Sequence, residues 1–143
     1  PIGLDLSSNK GHNPVFRIGE KMTLLVRASE NVFLNCFYRQ VDGSTLKIFP
    51  NRYHTDARVQ GRSLVHIPDE KMDFDFKVNP PLGSERVRCI GSDKDLSMAL
   101  PPEIGKRDLE PIPRKLVLDL VRYYRSVPGA RVSEVSMAIT VQE

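Results

Sequence analysis

The histidine and cysteine side chains are the first candidates for chemistry. The sequence contains His12, His54, His66, Cys36 and Cys89. Nucleophilic catalysis needs a nucleophile beside a base, and the base needs a third group to orient it. His12 and His54 lie in polar segments, and His66 lies in a predicted strand between apolar neighbours. Each cysteine lies in an apolar run. No nucleophile elbow or local cysteine-protease signature is present. We therefore predict no catalytic residue and expect that the chain is not an enzyme.

The two cysteines have two open interpretations. Cys36 and Cys89 both lie in strand-like runs, and the pattern favours buried free thiols because cysteine packs well as a small apolar residue. A disulfide between neighbouring strands is the alternative, since both thiols could face one core. Two cysteines do not define the redox compartment.

Acidic side chains gather between positions 69 and 75, where Asp73 and Asp75 share one strand face. Such carboxylates can join a calcium site, but a solvated strand face explains them equally well. No Cys or His pair has zinc-ligand spacing, and Gly83 and Gly91 are single turn glycines rather than a phosphate-binding loop. We predict no metal and no cofactor.

Arginine side chains give the clearest binding signal, in two groups. One group lies in the polar loop 51–62 and the other on a predicted helix, and the candidate residues are Arg52, His54, Arg58, Arg62, Arg122, Tyr123 and Arg125. The aromatic residues resemble core residues and acidic residues are interspersed, so we predict no nucleic-acid partner. The arginines suit an acidic protein partner, and a plain solvated surface would also explain them.

Strands are the elements that position these side chains. In the stretch Asn31–Asn51, two apolar runs flank Asp42-Gly43, which predicts a β-hairpin, and Pro50 ends the returning strand. Apolar residues that alternate with polar ones predict further strands near residues 22–28, 64–67, 74–78 and 86–90.

The remaining segments complete the predicted domain. Residues 1–13 predict a flexible N-terminal arm, and apolar residues at helical spacing predict a helix over about 113–126. Alternation predicts a last strand over about 131–142. We therefore predict a mainly β fold over residues 14–143. Its expected form is a single antiparallel β-sandwich, immunoglobulin-like in general architecture, with one C-terminal α-helix and a closing strand.

Composition agrees with one soluble globular domain. The chain has 143 residues, 40% of them hydrophobic and 27% charged, and a net charge of +3. No apolar run approaches the roughly 20 residues of a membrane helix. The chain begins at Pro1 without Met or a signal peptide, so we expect a processed form or a piece of a longer protein.

A set of short motifs resembles one bacterial family. The motifs are Phe16-Arg17-Ile18-Gly19-Glu20, the hairpin with Asp42-Gly43, Ile48-Phe49-Pro50-Asn51, Ile67-Pro68 and Pro81-Leu82-Gly83-Ser84-Glu85. Their order over about residues 14–100 resembles the family known as domain of unknown function 4384. That resemblance implies an accessory domain attached to a larger bacterial protein, often an exported, envelope or secretion-associated one.

The functional expectation follows from these points. We expect a non-catalytic protein-interaction domain of a bacterial envelope- or secretion-associated protein, located in the periplasm or envelope, with the cytoplasm as the alternative. The other hypothesis is a binding domain for an anionic small molecule or glycan, with a concave pocket lined by Arg52, Arg58 and His54.

Overall fold

The computed structural model describes all 143 residues and is mainly β, as predicted. Eleven strands and four short helical segments follow one another along the chain. They are β1 (Leu4–Ser8), β2 (Val15–Arg17), β3 (Lys21–Met22), β4 (Leu24–Ala28), β5 (Val32–Arg39), β6 (Thr45–Phe49), β7 (Arg58–Val59), β8 (Leu64–Ile67), β9 (Phe76–Lys77), β10 (Gly83–Ser92), a 3₁₀ turn (Ser97–Ala99), α1 (Pro102–Gly105), α2 (Arg114–Leu118), α3 (Leu120–Tyr124) and β11 (Val132–Gln142). No helix is both long and apolar enough to span a membrane.

The strands form three sheets. The largest has the order β2-β11-β10-β5-β6, with β7 also paired to β5. A second sheet has the order β1-β4-β8, and β3 pairs with β9 in a third. Every pair is antiparallel except β2 with β11, which run parallel. The prediction of an antiparallel sheet protein is therefore correct in all but this pair.

The predicted hairpin is formed by β5 and β6. Its turn contains Asp42 and Gly43, and Gly43 has a φ of +90°, a conformation that glycine adopts without a steric penalty. A register shift between Cys36 and Phe37 follows in the same strand pair. Phe37 is opposite Lys47 on β6, so these two side chains share one face of the large sheet.

The main core lies between the two larger sheets. Buried side chains from both sheets meet there, among them Leu24, Val26, Leu34, Val87 and Ile139. Burial of such apolar surface is the principal source of stability.

The cysteines lie opposite each other on β5 and β10, and their sulfur atoms are bonded. The favoured interpretation of Cys36 and Cys89 as free thiols is wrong, and the disulfide alternative is correct. The two thiols meet because their residues are directly opposite each other on two paired strands. The sequence alone does not reveal that β5 pairs with β10 in this register.

A second, smaller core covers the opposite face of the large sheet. The connection between β10 and β11 crosses this face, and its residues 93–131 are called the insert below. Phe37 and Ile90 from the sheet pack there against buried insert residues that include Leu120 and Tyr124. The rings of Phe37 and Tyr124 meet edge to face, with centroids 6.3 Å apart.

The predicted single helix over about 113–126 is wrong in its continuity. Two five-residue helices occupy the region, and Asp119, with φ −97° and ψ 7°, separates them. Aspartate is a poor helix former in such an interior position. Both helices precede the closing strand and belong to the connection between β10 and β11, which are neighbours in the large sheet. The predicted last strand over 131–142 is confirmed as β11.

The predicted flexible arm over residues 1–13 is also wrong. Leu4–Ser8 pairs along its length with β4, and Ile2 and Leu6 are buried in the main core. The alternation of Ile2, Leu4 and Leu6 is a strand pattern, but the polar residues that follow it obscured the signal.

Removal of the Tyr124 hydroxyl should stabilise the protein. Tyr124 is 1% exposed, and its Oη is buried without a hydrogen-bond partner. An unsatisfied buried hydroxyl carries a desolvation penalty, so Tyr124→Phe is expected to raise the free energy of unfolding by roughly 1 kcal/mol. Urea unfolding of both proteins measures the change, with Tyr123→Phe as the half-buried control. A loss of stability in Tyr124→Phe would show that the hydroxyl has a partner.

Candidate functional site

The predicted arginines of the 51–62 loop are largely engaged within the molecule. Arg52 donates from its backbone N–H and from its guanidinium to Asp108 of the insert, with Nη2 3.3 Å from Oδ1. Arg58 pairs with Asp56 of the same loop, with Nη2 3.0 Å from Oδ2. Each of these carboxylates raises the pKa of its arginine, first through the hydrogen bond and then through its charge.

The other two candidates in the loop have different surroundings. The His54 ring packs on Phe49, with centroids 5.0 Å apart, and its backbone closes a turn with Asn51. Arg62 is exposed and has a left-handed backbone with φ 68°. The loop is therefore a mixture of fixed and free side chains.

The candidates on the helix form a separate group. Arg122 and Arg125 are exposed, and Arg122 Nη1 lies 3.9 Å from Asp119 Oδ1. Tyr123 is half-buried, whereas its neighbour Tyr124 is buried. In each of four surface cavities of about 410, 360, 240 and 440 Å³, the lining contains side chains of at most one of the two groups. The structure thus places the predicted surface in two parts.

The groups considered for catalysis and metal binding are dispersed. His12 lies 3.1 Å from Asp5 at the surface, and His66 is exposed on β8. The two cysteines are bonded to each other, so neither provides a thiolate. No three His, Cys, Asp or Glu side chains are close enough to hold a metal ion.

A groove of about 410 Å³ at the edge of the fold has a wall of aromatic rings. It lies between β6 and the segment 74–81, and we call it the aromatic groove. Three aromatic rings line it, and a fourth, Tyr53, packs on Phe74 outside the lining. Neighbouring centroids are 5.8, 5.1 and 6.0 Å apart in the order Tyr38, Phe76, Phe74 and Tyr53. Tyr38 is buried and Tyr53 is 39% exposed, so the row runs from the core to the surface.

Charged side chains around the aromatic groove are mainly acidic. Its lining includes Asp42, Asp75 and Glu85 but only one cation, Lys77. Hydrogen bonds from Ser44 lower the pKa of Asp42, so that carboxylate stays ionised. The groove therefore combines an apolar floor with a negative rim.

A hydrogen bond fixes the inner end of the aromatic groove. Tyr38 donates from Oη to Glu85 Oε1 at 2.6 Å, and the backbone N–H of Val41 donates to Oε2 at 3.2 Å. Burial raises the pKa of Tyr38, and the bond to Glu85 raises it further. Tyr38 is thus a neutral donor that keeps the first ring of the row in place.

The sequence did not reveal the aromatic groove. Phe74 and Phe76 pack against the main core, in agreement with the core role that the sequence predicts, but they are only half-buried and also line the groove. The alternation of these rings with Asp73 and Asp75, beside Pro80-Pro81, was the available signal. The same alternation fits a core strand, so it could not separate the two roles.

Comparisons with known proteins give one match. The family model described as Domain of unknown function (DUF4384) matches residues 15–95, from the start of β2 to just beyond the end of β10. No match was found among curated proteins or among solved structures. All but one of the residues that line the aromatic groove lie in the matched segment, the exception being Leu109.

Proposed function

Since this chain belongs to the DUF4384 family, we propose that it is a non-catalytic binding domain of a larger bacterial envelope- or secretion-associated protein. Its partner is another protein, and the aromatic groove receives an extended, basic segment of that partner. The observation that carries this proposal is the row of three aromatic rings, Tyr38, Phe76 and Phe74, that lines a groove with a mainly acidic border.

The chemistry of the groove favours such a segment. Aromatic side chains supply large, rigid contact area, and they are common where proteins bind peptides in grooves. The rim has the carboxylates of Asp42 and Asp75 beside the ammonium of Lys77, and Glu85 adds a third carboxylate at the inner end. Asp75 also pairs with Lys21, whose Nζ lies 3.3 Å from Oδ2. Complementary charge speeds association and selects against acidic competitors. Arg62 in the loop, and separately Arg122 and Arg125 on the helix, would remain as basic contacts for acidic regions of a partner.

We also propose that the two larger sheets form an immunoglobulin-like sandwich. The support is their strand order, because β1-β4-β8 corresponds to strands A, B and E, and β11-β10-β5-β6 to G, F, C and C′. Residues from both sheets share one core. The disulfide would then join strands C and F within one sheet.

A periplasmic or envelope location is part of the proposal. Its support is the bond between Cys36 and Cys89, since disulfides persist in oxidising compartments such as the bacterial periplasm. Fractionation of the native host followed by thiol alkylation tests this location. Free thiols at both positions in a cytoplasmic fraction would contradict it.

Binding of an anionic small molecule or glycan is a second candidate function. A cationic cavity beside Arg52 favours it, and a neighbouring cavity contains Arg58. Neither cavity contains the predicted trio of Arg52, Arg58 and His54, because the two arginines line different cavities and His54 lines neither.

Site-specific photo-crosslinking in the native host tests the proposed function. A photoreactive phenylalanine analogue at Asn79, an exposed residue of the groove, is expected to crosslink to a basic segment of one protein. The same analogue at Met98, which is 95% exposed and outside the groove, is the matched control. An equal pattern of products at both positions would contradict the proposal.

Neutral variants of the rim test the role of charge. Asp42→Asn with Asp75→Asn is expected to reduce the crosslinking yield at Asn79 about fivefold, because each exposed charge contributes about 0.5 kcal/mol. Asp73→Asn, an exposed neighbour outside the groove, should leave the yield unchanged. A crosslinking yield that changes neither in the double variant Asp42→Asn with Asp75→Asn nor with added salt would exclude a basic ligand.

A further inference from the structure

We propose that the chain has a site for a phosphate group in the cavity where β6 meets residues 105–108 of the insert. This inference rests on the second candidate function, binding of an anionic ligand, and names its chemistry and its central residue. The site shares no lining residue with the aromatic groove, so either proposal can fail without the other.

The central observation is a buried lysine. Lys47 is 5% exposed, although lysine is almost never buried unless it is paired. Its Nζ donates to the backbone oxygen of Gly105 at 3.3 Å. An ammonium group has three donors, so the protein provides an acceptor for only one of them.

The charge of Lys47 is poorly compensated by the protein. Lys47 forms no salt bridge. The Asp108 carboxylate pairs with Arg52 instead, and it attracts the Lys47 ammonium only through its charge. Burial lowers the pKa of Lys47, and the charge of Asp108 offsets part of that effect. An uncompensated buried cation is destabilising, and an anion that accepts its free donors would relieve that penalty.

The cavity beside Lys47 has the size and lining for a small, strongly charged anion. It measures about 240 Å³ and none of its nine lining residues is hydrophobic. Four of them are cationic and one is acidic: Lys47, Arg52, Lys106, Arg107 and Asp108. Asp108 holds the Arg52 guanidinium at the cavity, and Lys106 and Arg107 are exposed at its mouth. A compact group of cations around a polar cavity suits a phosphate and offers nothing to an apolar ligand.

A larger cavity on the other side of Lys47 gives room for the rest of a ligand. It measures about 440 Å³ and shares Lys47, Pro50, Thr55 and Gly105 with the first. Its lining is mixed in charge, with Arg58 facing Asp56 and Asp95. The phosphate therefore belongs in the smaller cavity, and a polar group such as a sugar would lie in the larger one.

Titration with inorganic phosphate, followed by thermal unfolding and ³¹P NMR, tests the proposal. The wild-type melting temperature is expected to rise with phosphate at constant ionic strength, as mass action requires for a ligand of the native state. In Lys47→Met, which keeps the length of the side chain, the Kd for phosphate should increase about tenfold or more. Lys71→Met, at an exposed lysine outside both cavities, should bind as the wild type does.

Other outcomes are distinguishable. Lys47 could serve only to hold the insert in place through its hydrogen bond to Gly105. Lys47→Met would then be less stable but would respond to phosphate as the wild type does, and that result would overturn the proposal. If Lys47→Met does not fold, the double variant Lys106→Met with Arg107→Gln alters only exposed side chains and should weaken phosphate binding several-fold. Unchanged binding in that variant would also overturn the proposal.

The source of the phosphate is decided by two further arms. Glycerol phosphate represents a free phosphate monoester, and vesicles of phosphatidylglycerol represent a lipid headgroup. Phosphatidylcholine vesicles are the control, because their phosphate carries a compensating cation. Binding in either of the first two arms supports a phosphate site, and binding in neither arm would contradict it.

Discussion

Replacement of Cys36 and Cys89 together by alanine is expected to lower the free energy of unfolding by about 4 kcal/mol. The bond joins residues 53 positions apart and so closes a long loop from β5 to β10. Such a bond restricts the unfolded chain, and the entropy of that restriction grows with loop length. Small domains have a total stability of about 5–15 kcal/mol, so this loss is a large fraction of the whole.

Urea unfolding in the presence and absence of a reducing agent measures the effect. The reductant should destabilise the wild type once its thiols are free, whereas the double variant should not respond. Both cysteines are fully buried, so reduction of the native protein should require transient opening. If the free energy of unfolding of the double variant is less than about 1 kcal/mol below that of the oxidised wild type, the bond does not stabilise the fold as predicted.

The variant Phe37→Ala is expected to lower the free energy of unfolding by about 3–5 kcal/mol. Phe37 is 1% exposed and packs in the second core with Tyr124 and Leu120 of the insert. Its loss should weaken the attachment of the insert before it affects the main core. Amide hydrogen exchange should therefore accelerate in α2 and α3 more than in β4, whose residues belong to the main core.

Phe33→Ala provides the matched control. Phe33 lies on the same strand but is only half-buried and outside both cores. We expect its replacement to have a smaller effect on stability and none on exchange in the insert. Equal effects of the two substitutions, or uniform acceleration of exchange, would show that the insert is not held by this contact.

Much of the fold was readable because its longer strands alternate apolar and polar residues. β11 follows that pattern directly, whereas the β5–β6 hairpin was readable from two apolar runs on either side of Asp42-Gly43. By contrast β2, β3 and β7 contain two or three residues, which is too short to show a period. The parallel pairing of β2 with β11 joins positions far apart in the chain, and no local pattern encodes it.

The candidate sites were less predictable than the fold. The exposure of Arg52 was predictable from its polar loop, but its partner Asp108 is 56 positions away. Lys47 lies between Leu46 and Ile48, and nothing in that local pattern indicates that its side chain is buried. It is buried because the insert covers that face of the sheet. Long-range packing, which a single sequence does not display, decides the surroundings of both residues.

The two proposed ligands differ in the side chains that would bind them. In the two proposals, the aromatic groove would select its ligand by ring contacts and an acidic rim, whereas the cavity at Lys47 would select a compact anion through its cations. Added salt should weaken both interactions by screening, but loss of the aromatic rings should affect only the first. The two sites can therefore be examined in one protein without interference.

The measurement that bears most directly on the proposed function is the identity of the segment crosslinked at Asn79 in the native host. Mass spectrometry of the crosslinked peptide is predicted to give one partner protein and a segment with an excess of lysine or arginine. The product should be lost when Phe74 and Phe76, which line the groove, are replaced by alanine. An acidic segment, or a crosslink that persists without these rings, would contradict the account.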